Sequence, residues 1–505
     1  MRKPTTLVVA IATVILLVGG STVVHASREK LTISYSSTSF SSALTSQVLS
    51  PTVSGGVAAR FSFTGKLPQS VSFDSATGTF SGPPEWNANI GQIGGGFLHT
   101  CGVTTTGAVK CIGKNESGQL GDGTTTTRST ATSVVGLESG VAAVSGGGEY
   151  SCALLASSRA KCWGANNVGQ LGNSALISSA TPVDVRTSAS DGTPLSGVTI
   201  LSAGFEHACA RTGTGNLRCW GSNAYGQAGN NTFGNPNTAP VAVHTSSSDA
   251  TPLSGVTAVV AGGFHTCALM QSGGVKCWGD NDYGQLGNGT TEDQSAPVDV
   301  RASASNASPL TGVVALSAGY ISSCALLASG GVKCWGDNGF GQLGNGTTVN
   351  QSSPVDVRTS ATNARPLSGV AAISLGHGHV CALTTAGGVR CWGDNQAGQL
   401  GDGSTKLSGA PVVVRSTPTK RAPLAKVASI SVGAFFSCAR MPNGLAKCWG
   451  DNSSGALGDG TYDNRRGPVD VIGSGPVVGF PASLRVTVRT TDGRSASVAV
   501  RLTLN

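Results

Sequence analysis

Aromatic and charged side chains are both scarce in this 505-residue chain, at 5% and 11% of residues. No apolar pattern with a helical period recurs, which argues against bundles and α/β layers. Lys and Arg are scattered, with no basic run and no basic helix, so the clustered charge of a nucleic-acid footprint is missing. No nucleic-acid partner is expected. Also absent are Gly-x-Ser-x-Gly, His-Glu-x-x-His, a phosphate loop and any pair of carboxylates recurring at one site. Nothing positive argues for an enzyme, and no cofactor is implied.

What is abundant is glycine (73 residues), as many tight turns require, and a phased set of 14 cysteines. The pairs are Cys101 and Cys111, Cys152 and Cys162, Cys209 and Cys219, Cys267 and Cys277, Cys324 and Cys334, Cys381 and Cys391, Cys438 and Cys448. The offset within a pair is ten residues, successive first cysteines are 51, 57, 58, 57, 57 and 57 apart, and none is left over. Such a period marks a repeat whose unit is one supersecondary element.

Residues 255–300 show the unit. GVTAVVAGG is a β-branched run ending in glycine, and HTCAL and GVKCWG flank a Gly-Gly turn as a hairpin. GDNDYGQLGNGTT is dense in the residues that make Asx turns, and APVDV is a fourth short strand whose proline suits an outer edge. Four strands repeated seven times predict an all-β chain folded as a seven-bladed β-propeller over 87–475.

The repeat resembles that of the regulator of chromosome condensation family. The matching residues are the run with Ala203, Gly204 and His207, the Trp278-Gly279 pair and Gly284 to Gly287, in phased copies over 88–473. Blade one departs from the pattern with Ile112, where the other blades carry Trp163, Trp220, Trp278, Trp335, Trp392 and Trp449; blade seven has Ala456 in place of glutamine. For the eukaryotic namesake the resemblance implies guanine-nucleotide exchange on Ran. That activity is not expected here, because the chain carries an export signal and cysteine pairs foreign to the cytosolic pattern. Some propellers of this type inhibit secreted enzymes such as β-lactamase through a loop face, so enzyme inhibition is an implied sub-case.

Met1–Ala26 reads as a signal peptide: Arg2-Lys3, an apolar Leu7–Val18 and a small-residue cleavage site at Val24-His25-Ala26. Gly19-Gly20 and the short length favour cleavage; the alternative is an uncleaved anchor over Leu7–Val24. Either way the bulk of the chain is expected to be secreted or at the cell surface. Residues 27–50 read as a Ser/Thr-rich spacer. The stretch from Leu67-Pro68 through Phe73-Asp74, Thr77-Gly78 and Ser81-Gly82-Pro83 resembles the Ig-like domain of bacterial surface proteins, and 484–505 resembles its closing strands. One reading is a propeller inserted into a small Ig-like β-sandwich split over 51–86 and 476–505; the other is two unrelated hairpins flanking the ring.

In an oxidising compartment seven even pairs imply disulfides. The turn midway between each pair, at Ser272 in blade four, lets the two cysteines face each other across a hairpin, where opposed Cα atoms lie about 4.5–5.5 Å apart. Zinc ligands in such motifs usually lie about two to four residues apart, so no metal is expected. Each bridge closing so short a loop stabilises by roughly 2.5–3 kcal/mol.

His99, His207, His265 and His379 recur two residues before a first cysteine, with Tyr150, Ser322 and Phe436 elsewhere. Spread around a ring, they suit hydrogen bonds between blades better than catalysis. Asp280-Asn281-Asp282 faintly resembles a calcium loop but lacks its terminal glutamate, so turn capping is the reading.

Candidate binding residues come from turns sharing one end of the blades: Phe97, Phe205, Glu206, Phe264, Tyr320, His377 and Phe435, with Tyr225, Tyr283 and Phe340 from a second set. They form either an exposed aromatic rim or wedges packed between blades. The function expected is an exported, non-enzymatic and monomeric protein that binds a protein or glycan outside the cytoplasm. The alternatives are a structural surface protein joined through its Ig-like part and a polysaccharide-acting propeller enzyme. Non-reducing digestion and mass spectrometry should find the seven cysteine couples intact; free thiols or links between blades would contradict the hairpin assignment.

Overall fold

A computed structural model describes residues 90–472, Thr214 excepted, and beyond them the backbone of strands at 32–35, 39–40, 47–49, 51–54, 58–64, 72–74, 79–82, 482–490 and 495–504. The signal peptide expected at 1–26 lies outside the described residues. Among the described residues no helix is long and apolar enough to cross a membrane.

Contacts divide the chain into two units, Ala88–Gly475 and a second made of Met1–Asn87 with Pro476–Asn505. In the first unit, seven four-stranded antiparallel sheets each keep their strands in chain order. In blade four these are Val256–Ala261, His265–Met270, Val275–Gly279 and Gln294–Asp299. The fold is a seven-bladed β-propeller.

In every blade the second and third strands pair so that the two cysteines are directly opposite, as Cys267 and Cys277 are in blade four. Each expected couple is a disulfide. From blade one to blade three, Cys101 is bonded to Cys111, Cys152 to Cys162 and Cys209 to Cys219. From blade four to blade seven, Cys267 is bonded to Cys277, Cys324 to Cys334, Cys381 to Cys391 and Cys438 to Cys448. The bonded Cα atoms lie 4.1 Å apart in all seven, somewhat closer than the hairpin spacing anticipates. The cysteines are buried because the apolar core lies between sheets. One cluster joins Cys324, Val332 and Leu343 of blade five to Val370, Val380 and Trp392 of blade six.

The ring closes without exchanging a strand between its first and last blades. Instead, Ser145, Ser202, Ser317, Ser374 and Ser431 on the innermost strands each accept a bond from a main-chain N–H of the next blade, at 3.0–3.1 Å. The last of these, Gly95 N–H to Ser431 Oγ, joins blade one to blade seven.

The long connection between third and fourth strands is organised by one fully buried asparagine. In blade five, Asn338 Nδ2 donates to Asn345 Oδ1 and to the carbonyls of Thr347 and Val349 at 3.0–3.2 Å, while Oδ1 accepts from Leu343 N–H at 2.9 Å. The third strand ends at a glycine because nothing larger fits: Gly279 has φ +102°, and a Cβ there would lie 2.6 Å from the Phe264 carbonyl oxygen.

Two features differ from expectation. Within the supposed spacer, Thr32–Tyr35 pairs with Pro51–Ser54, Ser39–Phe40 pairs with 495–504 and Gln47–Leu49 pairs with Thr79–Gly82, so 27–50 is partly strand. These runs are too short and too rich in Ser and Thr to show a period. The linkers before blades four, five and six also form small hairpins, such as Arg301–Ser303 with Asn306–Pro309. In the second unit, Ala58–Thr64 pairs with Ala482–Thr490, so strands from both ends of the chain share one sheet.

Replacing Asn338 by Ala strands a buried N–H and several carbonyls. This should cost roughly 2–4 kcal/mol, read as a lower urea midpoint for the variant.

Candidate functional site

Each blade is tied to the next through the main-chain carbonyl at the second position of the Gly-Gln-Leu-Gly turn, glutamine in six blades and Ala456 in blade seven. The Gln285 carbonyl accepts from Trp335 Nε1 at 2.9 Å and from Ser323 Oγ at 3.0 Å, both in the following blade. Because Ser323 spends its proton there, its oxygen accepts from His265 Nε2–H at 2.8 Å. The same relay joins His99 to Ser151, His207 to Thr266 and His379 to Ser437 at 2.8–2.9 Å. In blade two, where tyrosine replaces the histidine, Tyr150 OH donates directly to the His207 carbonyl at 2.5 Å. The recurrent histidines are thus inter-blade braces.

Burial drives these imidazoles toward the neutral form. His207, His265 and His379 are lowered to about 3 and His99 to about 4, with Glu149 partly opposing the shift at His99. Their Nδ1 atoms are buried without a hydrogen-bond partner, so a second proton would have nowhere to be solvated.

The first turn of each blade and its third connection leave the sheets at the same end. There, six of the residues expected in the rim converge on the propeller axis. Phe97 meets Phe205 edge-on at 5.2 Å and Phe435 at 5.5 Å; Phe205 meets Phe264 at 5.8 Å and Tyr320 at 5.2 Å. Tyr320 stacks on His377 at 4.6 Å and 25°, and His377 contacts Phe435 at 5.2 Å. These rings are half-buried. They form a cup over an axial cavity of about 130 Å³, lined by the glycine that follows or ends each innermost strand, from Gly96 to Gly433.

The other candidates do different things. Tyr225 extends the cup through Phe264 at 5.4 Å, and Glu206 is half-buried beside it. Tyr283 stands exposed outside the ring contacts. Phe340 is a wedge between blades: a Cβ on Gly378 of blade six would come within 2.9 Å of its ring. Neither a peripheral rim nor wedges alone describes the set, because radial sheets point their first turns inward toward the axis.

Beyond Tyr225 and Tyr283, sequence reasoning missed an outer set. Of eleven exposed large hydrophobics among the described residues, eight lie on the third connections: Leu176, Ile177, Tyr225, Phe233, Tyr283, Val349, Leu407 and Tyr462. These positions vary between blades, so no periodic signal marks them.

Asp280, Asp282 and Asp293 bring their carboxylates within 4.8 Å of one another. Burial and the neighbouring acids push Asp280 up to about 6. Asp293 accepts from Asn281 N–H at 2.8 Å, and Asn350 and Asn464 accept the equivalent bond in blades five and seven. A neutral residue does the same work there, so these groups are turn caps.

The regulator of chromosome condensation (RCC1) repeat matches at 92–119, 141–170, 198–227, 256–285, 313–342, 370–399 and 427–456, once in every blade. A second description of that repeat matches 214–269, 272–326, 329–383 and 386–440. The chain belongs to the regulator of chromosome condensation repeat family. Its relatives include the human E3 ubiquitin-protein ligase HERC2, 28% identical over 70% of this chain but only 7% of that protein. Another is the Arabidopsis thaliana ultraviolet-B receptor UVR8, 29% identical over 64% of this chain and 69% of the receptor. Among solved structures, human WBSCR16 superposes with TM-score 0.59 at 21% identity, covering 75% of this chain and 97% of that one. Saccharomyces cerevisiae Prp20p gives TM-score 0.56 at 18% identity, over 76% and 88%. At such identities the likeness is one of fold.

The buried histidines give this regulator of chromosome condensation repeat propeller a definite acid response. Unfolded imidazoles take up protons below pH 6.5, whereas the folded ones do so only near 3–4. Stability is therefore full above about pH 6.5 and falls as pH drops from there toward 3, by about 1.4 kcal/mol per pH unit for each histidine. Urea midpoints should decline between pH 7 and pH 5, and His265→Gln should flatten the decline; identical profiles would contradict the brace.

Proposed function

We propose that this propeller is a non-enzymatic interaction scaffold that works outside the cytoplasm and engages a protein or glycan through the end bearing the aromatic cup. One observation carries the reading: the exposed large hydrophobics gather on the third connections around that cup instead of being spread over the surface. Burial and inter-blade bonds occupy the recurrent histidines, which speaks for binding over catalysis. Relatives point the same way: the Prp20p structure is described with its binding to Gsp1p and histones, and yeast RCC1 in a complex with Kap60. The extracellular setting rests on the pattern of residues 1–26 and on seven cysteine couples with none left over. Inhibition of a secreted enzyme is a sub-case of the same binding mode.

A second reading, a structural surface protein, draws support from the sheet shared by strands of both chain ends. In that reading the flanking unit is an Ig-like sandwich that accepts the propeller as an insertion, and it is the part that joins neighbours.

The test is a screen of the mature protein against cell-wall glycans and secreted proteins, repeated with Phe205, Phe264 and Tyr320 changed together to Ala. Loss of a retained partner by about tenfold or more is expected, since interface aromatics commonly dominate binding. Retention of every partner at full strength would remove the cup from the interface.

A further inference from the structure

The charges around the cup run against those of the whole chain. The chain carries a formal charge of +8. Yet the first turns and the opening four residues of the third connections hold eight carboxylates and one lysine. The acids are Glu116, Glu149, Glu206, Asp280, Asp282, Asp337, Asp394 and Asp451. The single cation, Lys114, is already held between Glu149 at 2.7 Å and Glu116 at 3.2 Å.

Glu206 is the telling member. It is half-buried next to Phe205, and among the described residues no Lys or Arg lies within ion-pair distance of it. Burial and then the charge of Glu149 raise its carboxyl above the usual range. Glu206 follows Phe205 in the same turn, and Asp280 N–H donates to the Phe264 carbonyl at 3.0 Å, which ties both residues to the cup; burial first and then their charges raise the Tyr320 phenol. On the far side, burial lowers His377, and the charges of Asp394 and Asp337 oppose that shift. Aromatic faces add negative potential of their own through the ring quadrupole.

An apolar partner covering this cup would bury Glu206 uncompensated, and an anionic one would be repelled. A cation satisfies both the carboxylates and the ring faces. On the reading that this end of the propeller is the binding face, we propose that the axial cup receives a Lys or Arg side chain presented by a basic segment of a partner protein. Its charged end would sit at Glu206, with its methylene stem on Phe205, Phe264 and Tyr320.

The probe is a labelled alternating Lys-Gly peptide, with its Glu-Gly counterpart as the control, titrated against the full chain by fluorescence anisotropy at low and physiological salt. The Lys-Gly peptide should bind and the Glu-Gly peptide should not. Glu206→Gln and Phe205→Ala should each weaken binding about tenfold, as loss of one desolvated cation contact implies. Lys420→Gln with Arg421→Gln, at the other end of the blades, should change nothing. Circular dichroism and the intact cysteine couples verify folding of each variant.

Binding that is indifferent to Glu206→Gln would overturn the proposal. So would concentration-dependent self-association in sedimentation that Glu206→Gln abolishes, because the occupant would then be a second copy of this chain. A partner lost on changing Phe205, Phe264 and Tyr320 but kept on changing Glu206 would retain the binding face and discard the cation.

Discussion

One main-chain carbonyl in each blade, at the second position of the Gly-Gln-Leu-Gly turn, accepts one or two side-chain donors from the following blade, two at Gln119, Gln227, Gln285 and Gln399, and the ring depends on it. No strand is exchanged at closure, so successive sheets hold together by packing, by side-chain bonds across the gap and by main-chain bonds between their innermost turns, such as Phe205 N–H to the Gly262 carbonyl at 3.1 Å. Much of the repeated motif serves that carbonyl. Trp335 Nε1 and Ser323 Oγ reach the Gln285 carbonyl, and Gln285 Oε1 in turn accepts from Tyr283 N–H at 2.9 Å. Asn281 holds the loop through Leu286 N–H at 3.0 Å. Gly287 is obligatory because a Cβ there would lie 2.8 Å from Trp335 Nε1. A doubly engaged buried acceptor leaves little freedom to any of these residues.

The junction of blades seven and one shows what happens when a partner is missing. Ile112 fills the tryptophan's place against Gly458, and Thr100 Oγ1 still donates to the Ala456 carbonyl at 3.0 Å. One of the two donors is gone, but the apolar filling and the other bond remain. Gly95 N–H to Ser431 Oγ adds a further tie there. The two ends of the ring are therefore joined by the same physics as its interior.

Because the third strand, the disulfide and the asparagine hub fix each blade from within, the residues between them on the turns are released from structural duty. Aromatic rings, acids and exposed aliphatic groups collect there, on one end of the blades. The solved relatives share the scaffold at low identity, so the fold alone carries no function over from them.

Much was legible in the amino-acid order alone. The ten-residue cysteine offset, the blade period, the tryptophan and the turn-forming Asn and Gly are local or periodic signals, and the strands, the disulfide register and the histidine braces follow from them. The small hairpins before blades four to six and the strands within 27–50 were not legible, since short polar runs carry no period. Nor was the convergence of Phe97, Phe205, Tyr320, His377 and Phe435, which are separated by up to 338 positions in the chain and meet only when the ring has closed. The same holds for the acids that surround them and for Phe340, which the next blade covers. Sequence determines each blade, because its contacts are made among near neighbours. Tertiary structure decides what the seven innermost turns become together, because only circular closure brings them onto a common axis.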